Sequence, residues 1–257
     1  MKTFLSGLIT AALVNASAAF AADNKPTIVL VHGAFADASS WTGVIERLEK
    51  DGYSVVAASN PLRSVKGDAE YIARIVASIK TSVVLVGHSY GGNVISEAAT
   101  SADNVKSLVY VAAFAPDVGE TAASLSSQFP GSTLSAALGT PVDLPGGESD
   151  LYIIRDKFHL QFAADLNESQ ARLMAAGQRP ITAGALNESA TKAAWKSKPS
   201  WFVYGDADKN IPAKTLGWMA ARANARETVV VKGASHVVMT SHPDVVTRII
   251  EEAASVD

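Results

Sequence analysis

The sequence predicts an α/β fold, a mostly parallel sheet with helices on both faces. Three observations carry this. Continuous runs rich in β-branched residues, such as Thr27-Ile28-Val29-Leu30-Val31, read as strands buried on both faces. Stretches with apolar residues at helical spacing lie between them, and the alternation of the two argues for strand–helix–strand units. The chain is 257 residues long, 48% hydrophobic and 18% charged, which suits one α/β domain and not a disordered chain.

The first residues read as an export signal. Lys2 precedes the short apolar core Phe4 to Val14, and Ala19-Phe20-Ala21 fits the small-x-small cleavage rule, so the cut is expected after Ala21. The apolar core is short of the roughly 20 residues a membrane span needs, so residues 1–21 are expected to be removed rather than kept as an anchor. This implies a periplasmic or secreted protein with no stable membrane anchor.

Strand Thr27–Val31 runs into His32-Gly33-Ala34-Phe35. A helix is expected from about Ser40 to Lys50, with Trp41, Val44, Ile45 and Leu48 on one face and Asp51-Gly52 ending it. Tyr53 to Ala57 is a second strand and Ala69 to Ile79 a helix. Ser82 to Val86 is a third, buried strand, Asn93 to Ala99 a helix, and Val105 to Ala112 a fourth strand. From about Asp117 to Lys198 no buried strand is evident, and helices are expected near Ile153–Phe162 and Glu168–Ala176. The βα rhythm resumes with strand Trp201–Tyr204, helix Ala213–Ala223, strand Thr228–Val231 and helix Asp244–Ala254. Residues 22–257 thus read as one domain carrying an insertion over about 117–198.

Composition narrows the function. The net charge of −3 disfavours a surface built for nucleic acid. The absence of Cys excludes disulfides, thiolate zinc sites and a Cys nucleophile. Gly91-Gly92 follow a Ser and lack the Lys of a phosphate-binding loop, so no nucleotide, cofactor or metal is called for.

Gly87-His88-Ser89-Tyr90-Gly91-Gly92 follows a buried strand and opens a helix, the context of a nucleophile elbow of pattern G-x-S-x-G. Ser89 would stand at the tip of the turn, near a helix N-terminus that favours developing negative charge. A Ser hydroxyl needs a base. Among His32, His88, His159, His236 and His242, the base falls on His236, just after the last strand, where loops at strand C-termini form the functional rim. His242 precedes Pro243 and reads as a helix start. The acid that orients the base is Asp208, with Asp206 as a turn-capping residue and Asp117 as the fallback. Two backbone N–H groups are needed for the oxyanion: Tyr90, and Ala34 in the loop after the first strand, with Phe35 as alternative.

These motifs resemble the α/β-hydrolase family over roughly Thr27 to Ile250, through Val31–Phe35, Gly87–Gly92, Gly205-Asp206-Ala207-Asp208-Lys209-Asn210-Ile211-Pro212 and Gly233–His236. The family's Gly-x-x-Asp-x-x-x-Pro stretch places the acid on Asp208, and the insertion resembles the family's cap. His32-Gly33-Ala34 followed by Trp41 and a short cap resembles the small serine esterases related to plant methyl-ester esterases and hydroxynitrile lyases. The lyases carry Thr at the Gly33 position and Lys after the catalytic His, where this chain has Val237, so the resemblance implies hydrolysis. The expected reaction is acyl transfer from small to medium apolar carboxylic esters, without cofactor. Phe35, His88, Phe114, Phe158, Phe162, Trp218 and Val237 are expected to line the substrate pocket. A perhydrolase, an amide or lactone hydrolase on the same triad, and a non-catalytic receptor on the same fold are the alternatives.

Overall fold

The computed structural model describes residues 25–256; the expected export signal lies outside them. Six strands form one sheet in the order β2-β1-β3-β4-β8-β9, and every neighbouring pair is parallel. They are β1 (Thr27–Val31), β2 (Val55–Ala58), β3 (Val83–His88), β4 (Val105–Val111), β8 (Ser200–Gly205) and β9 (Glu227–Val231). The inner strands β1, β3 and β8 are buried at every position, as their unbroken apolar runs require. Edge strand β9 alternates half-buried and exposed residues.

Helices α1 (Thr42–Lys50) and α11 (Pro243–Ala254) pack together on one face of the sheet. Helices α2 (Val65–Ser78) and α3 (Gly91–Ala98) cover the other. Helix α2 begins one turn before the expected Ala69. The Ser64 side chain caps it by accepting from the Gly67 N–H, and the polar stretch Lys66-Gly67-Asp68 hides that turn from a periodicity argument. Pro243 occupies the first turn of α11 with His242 as its N-cap, which makes His242 a helix-entry residue.

Between β4 and β8 the chain forms α4 (Ala122–Ser126), α5 (Leu134–Ala137), α6 (Arg155–Phe162), α7 (Glu168–Gly177) and α8 (Ala183–Asn187). It also forms a small antiparallel sheet of β5 (Val142–Asp143), β6 (Ser149–Leu151) and β7 (Ile181–Thr182). The expectation of no buried strand here needs correcting, because β7 is fully buried. Strands of two or three residues are too short to show a period. The last helices are α9 (Ala213–Arg222), after β8, and α10 (Val238–Ser241), after β9. Among the described residues no helix is long and apolar enough to cross a membrane.

Candidate active site

Parallel strands place their following loops along one rim of the sheet. Ser89 follows β3 at φ 54°, the left-handed region that a residue with a Cβ enters at a cost of order 1–3 kcal/mol. The surroundings hold it there. Its N–H donates to Val111 O (3.3 Å), and its carbonyl accepts from Gly92 N (2.9 Å) and Phe114 N (3.2 Å). The turn is tight enough that a Cβ on Gly87 would lie 2.7 Å from the Gly91 carbonyl oxygen.

Asp208 follows β8 and His236 follows β9. The Asp208 carboxylate is fixed on one side by the N–H groups of Asn210 (2.8 Å) and Ile211 (3.0 Å), both donating to Oδ1. On the other side Oδ2 stands 2.6 Å from His236 Nδ1, and both side chains are fully shielded from solvent. A carboxylate facing Nδ1 places the imidazole proton on that nitrogen and leaves Nε2 as an acceptor. Nε2 is buried and has no hydrogen-bond partner among the described residues. The elbow lies beside it. His88, the residue before Ser89, packs its ring 4.8 Å from the His236 ring and donates from Nε2 to the His236 carbonyl (3.1 Å). Burial, then repulsion from a charged His236, holds His88 well below the usual histidine range, so it stays neutral.

The other candidate acids are engaged elsewhere. Asp206 is exposed and accepts from the Gly233 N–H at 2.6 Å, bracing the loop that carries His236. Asp117 pairs with Lys196 at 2.5 Å, which holds its carboxyl below the usual range. Its N–H donates to Glu120 Oε2 at 2.8 Å.

The loop after β1 approaches the elbow closely. A Cβ on Gly33 would sit 2.6 Å from Ser89 Cβ and 2.7 Å from His88 O, so only glycine fits without a shift. His32 shapes this loop. Its Nε2 accepts from the Asn60 N–H (3.1 Å), so Nδ1 carries the proton and donates to Gly33 O (2.9 Å). Burial pushes the His32 pKa down to about 4. Phe35, the alternative oxyanion donor, is already committed, since its N–H donates to Arg179 O at 2.9 Å. Among the described residues the amides of Ala34 and Tyr90 donate to no protein acceptor.

Ser89, Ala34 and Tyr90 open onto a cavity of about 470 Å³. Phe35 and Phe114 line it as expected from the sequence. Five other expected lining residues do not. His88 and Val237 are fully buried beneath the rim. Phe158 and Phe162 are fully buried too; the Phe162 ring packs 5.1 Å from His236 and 4.9 Å from Phe158, forming a wall behind the imidazole. Trp218 packs edge-on against Phe129 (6.2 Å between rings), with the Arg222 guanidinium over its ring at 4.2 Å. The lining missed from sequence comes from the insertion, chiefly Phe129, Leu134, Leu138 and Leu186, together with Asn210 and Ile211 after β8. No charged side chain lines the cavity. Among the described residues no three His, Asp or Glu side chains cluster as a bound metal would require.

Residues 28–249 match the Alpha/beta hydrolase family. An alpha/beta hydrolase of Aspergillus novofumigatus is 30% identical over 249 residues, covering 90% of this chain and 97% of its own. Methylesterase 8 of Arabidopsis thaliana is 22% identical over 243 residues, covering 87% of each. The crystal structure of polyneuridine aldehyde esterase superposes with a TM-score of 0.77 at 21% identity, over 89% of this chain and 98% of that one. The chain belongs to the alpha/beta hydrolase family, among its esterase-type members.

Proposed function

We propose that the protein hydrolyses small to medium, uncharged carboxylic esters through Ser89, His236 and Asp208. The observation that carries this reading is the sealed Asp208–His236 pair, whose Nε2 is unpartnered among the described residues and whose ring packs 4.8 Å from that of His88, the residue before Ser89. The Ser89 hydroxyl adds to the ester carbonyl as its proton passes to His236 Nε2. Asp208 keeps the imidazole in the productive tautomer and balances the charge that forms. The amides of Ala34 and Tyr90 hold the oxyanion. The alcohol leaves with the proton from His236, giving an acyl-Ser89. Water then adds as His236 takes its proton, and collapse releases the acid and restores the Ser89 hydroxyl. The uncharged, mainly apolar cavity, whose polar lining is serine hydroxyls, Tyr90 and Asn210, suits a neutral acyl or alcohol group. Named esterases among the relatives support the same reaction class.

A panel of p-nitrophenyl esters of rising chain length tests the proposal. The unsubstituted protein is expected to turn over short and medium chains and to label at Ser89 with a fluorophosphonate. Ser89→Ala is expected to lose at least about 10³-fold in kcat. Comparable turnover by Ser89→Ala overturns the assignment. We further propose export with cleavage after Ala21, which N-terminal sequencing of the protein recovered outside the cytoplasm would test.

A further inference from the structure

Asn210 lines the cavity with Ser89, and only its backbone N–H enters the chemistry proposed above, through Asp208. Three of its four polar groups are spoken for. Its N–H donates to Asp208 Oδ1 (2.8 Å), its carbonyl accepts from Ser132 Oγ (2.8 Å), and its Oδ1 accepts from Gln161 Nε2 (2.7 Å). Gln161 is a buried residue of α6.

One backbone carbonyl fixes the direction of both amides. The Gln161 side chain also reaches Lys209 O at 3.0 Å, and a carbonyl only accepts, so the atom there is the Gln161 NH₂. The Asn210 atom facing that NH₂ must then be its oxygen. The other end of Gln161 is consistent, with Oε1 accepting from Thr133 Oγ1 at 2.8 Å. Asn210 Nδ2 is therefore the end left over. Among the described residues it has no protein acceptor, and it is not one of the polar atoms sealed away from the cavity.

We infer that Asn210 is a specificity-determining residue. It offers a locked N–H donor in an uncharged cavity whose other polar lining, apart from Ser89 and Tyr90, is the rotatable hydroxyls of Ser126, Ser127, Ser132 and Ser135, and it selects neutral esters whose acyl or alcohol body carries an oxygen acceptor, such as an ether, keto or hydroxyl oxygen. A ligand with only methylenes strips water from Nδ2 and returns nothing, whereas one with an oxygen at the right depth replaces the lost bond. This inference rests on the ester-hydrolase reading for its substrate class, but not for its binding geometry.

Methyl hexanoate and hexyl acetate, each with a set of isosteres in which successive chain methylenes are replaced by an ether oxygen, test it. Hydrolysis is followed on the unsubstituted protein and binding by calorimetry on Ser89→Ala. In one of the two series, one oxygen position is expected to raise kcat/KM and affinity relative to its neighbours by about 3- to 10-fold. Asn210→Leu is expected to abolish that peak, so that within this variant every ether isostere falls to the level of its neighbours. Gln161→Met leaves the cavity wall intact and unlocks the amide, so it is expected to flatten the peak as well. A profile without a peak in both series, or a peak unchanged in both variants, overturns the assignment of Asn210. A peak in binding without hydrolysis by the unsubstituted protein retains Asn210 and overturns the ester-hydrolase reading. Hydrolysis with a flat profile does the reverse.

Discussion

The Tyr90 hydroxyl donates to Asp68 Oδ2 at 3.0 Å, with both residues buried, so α2 holds the side chain of the residue that follows Ser89. Asp68 Oδ1 accepts the Arg63 N–H at 3.2 Å. Burial raises the Asp68 pKa above the usual carboxylate value, and the hydrogen bonds from Arg63 and Tyr90 only partly offset it. A raised folded-state pKa contributes stability that is present below the unfolded pKa and lost as pH rises through the folded one. Asp68→Asn can keep both bonds, with Oδ1 accepting from Arg63 and Nδ2 donating to the Tyr90 oxygen. It is expected to gain stability relative to the unsubstituted protein on going from about pH 4 to about pH 7. Urea denaturation at the two pH values measures the difference, and a constant gap would show that the carboxylate is not strained by burial.

His32 carries the opposite pH dependence. Its pKa is lowered from 6.5 to about 4, chiefly because burial disfavours the charged ring, with a further lowering from the Arg179 charge. The unfolded chain therefore binds a proton that the folded one refuses. The stability from His32 is full above about pH 6.5 and is lost as pH falls toward about 4, by on the order of 3 kcal/mol. His32→Gln is expected to flatten this part of the stability profile. The same substitution should lower kcat, because the ring orients Gly33 and with it the Ala34 amide.

Asp208→Asn separates geometry from proton transfer. The Asn oxygen would keep the bonds from Asn210 and Ile211, which turns its NH₂ toward His236 Nδ1. That nitrogen must then accept, and the proton moves to Nε2, where it blocks uptake of the Ser89 proton. The expected loss is about 10³–10⁴ in kcat with KM little changed. Stopped-flow or steady-state assays on a p-nitrophenyl ester give both constants, and a fall in KM-weighted binding alone would contradict the role.

The polar part of the site was legible because its signals are local. Gly33 and Gly87-x-Ser89 each follow a buried strand, Gly233–His236 follows edge strand β9, and parallel strands bring their loops to one rim without any long-range knowledge. The sequence separates Asp208 from Asp206 by reading Asp206 as a turn cap and by the family's Gly-x-x-Asp-x-x-x-Pro stretch, and the structure adds a physical distinction. Asp208 bonds its own loop amides and the imidazole, whereas Asp206 is spent on Gly233. The cavity wall was not legible. Phe158 and Phe162 lie on a helix whose aromatic residues pack inward, and no sequence period tells a core ring from a pocket ring. Phe129 lies between α4 and α5 in a Gly- and Pro-punctuated stretch with no period at all, and only the fold of the insertion turns it toward Ser89.

That distinction makes Phe129 and Phe162 a matched pair. Phe129 faces the cavity, and Trp218 packs edge-on against its ring. Phe129→Ala is expected to enlarge the cavity and shift the preference of the p-nitrophenyl panel toward longer chains, with stability little changed because the ring already borders open space. Phe162 is fully buried among Phe35, Phe158, His88 and His236. Phe162→Ala leaves a hole in packed surroundings and is expected to cost about 3–5 kcal/mol of stability. Its effect on turnover should fall on kcat, through the loosened His236 ring, and leave the chain-length optimum in place. An optimum that moves in Phe162→Ala but not in Phe129→Ala would mean that the substrate occupies the aromatic wall behind the imidazole instead of the cavity in front of Ser89.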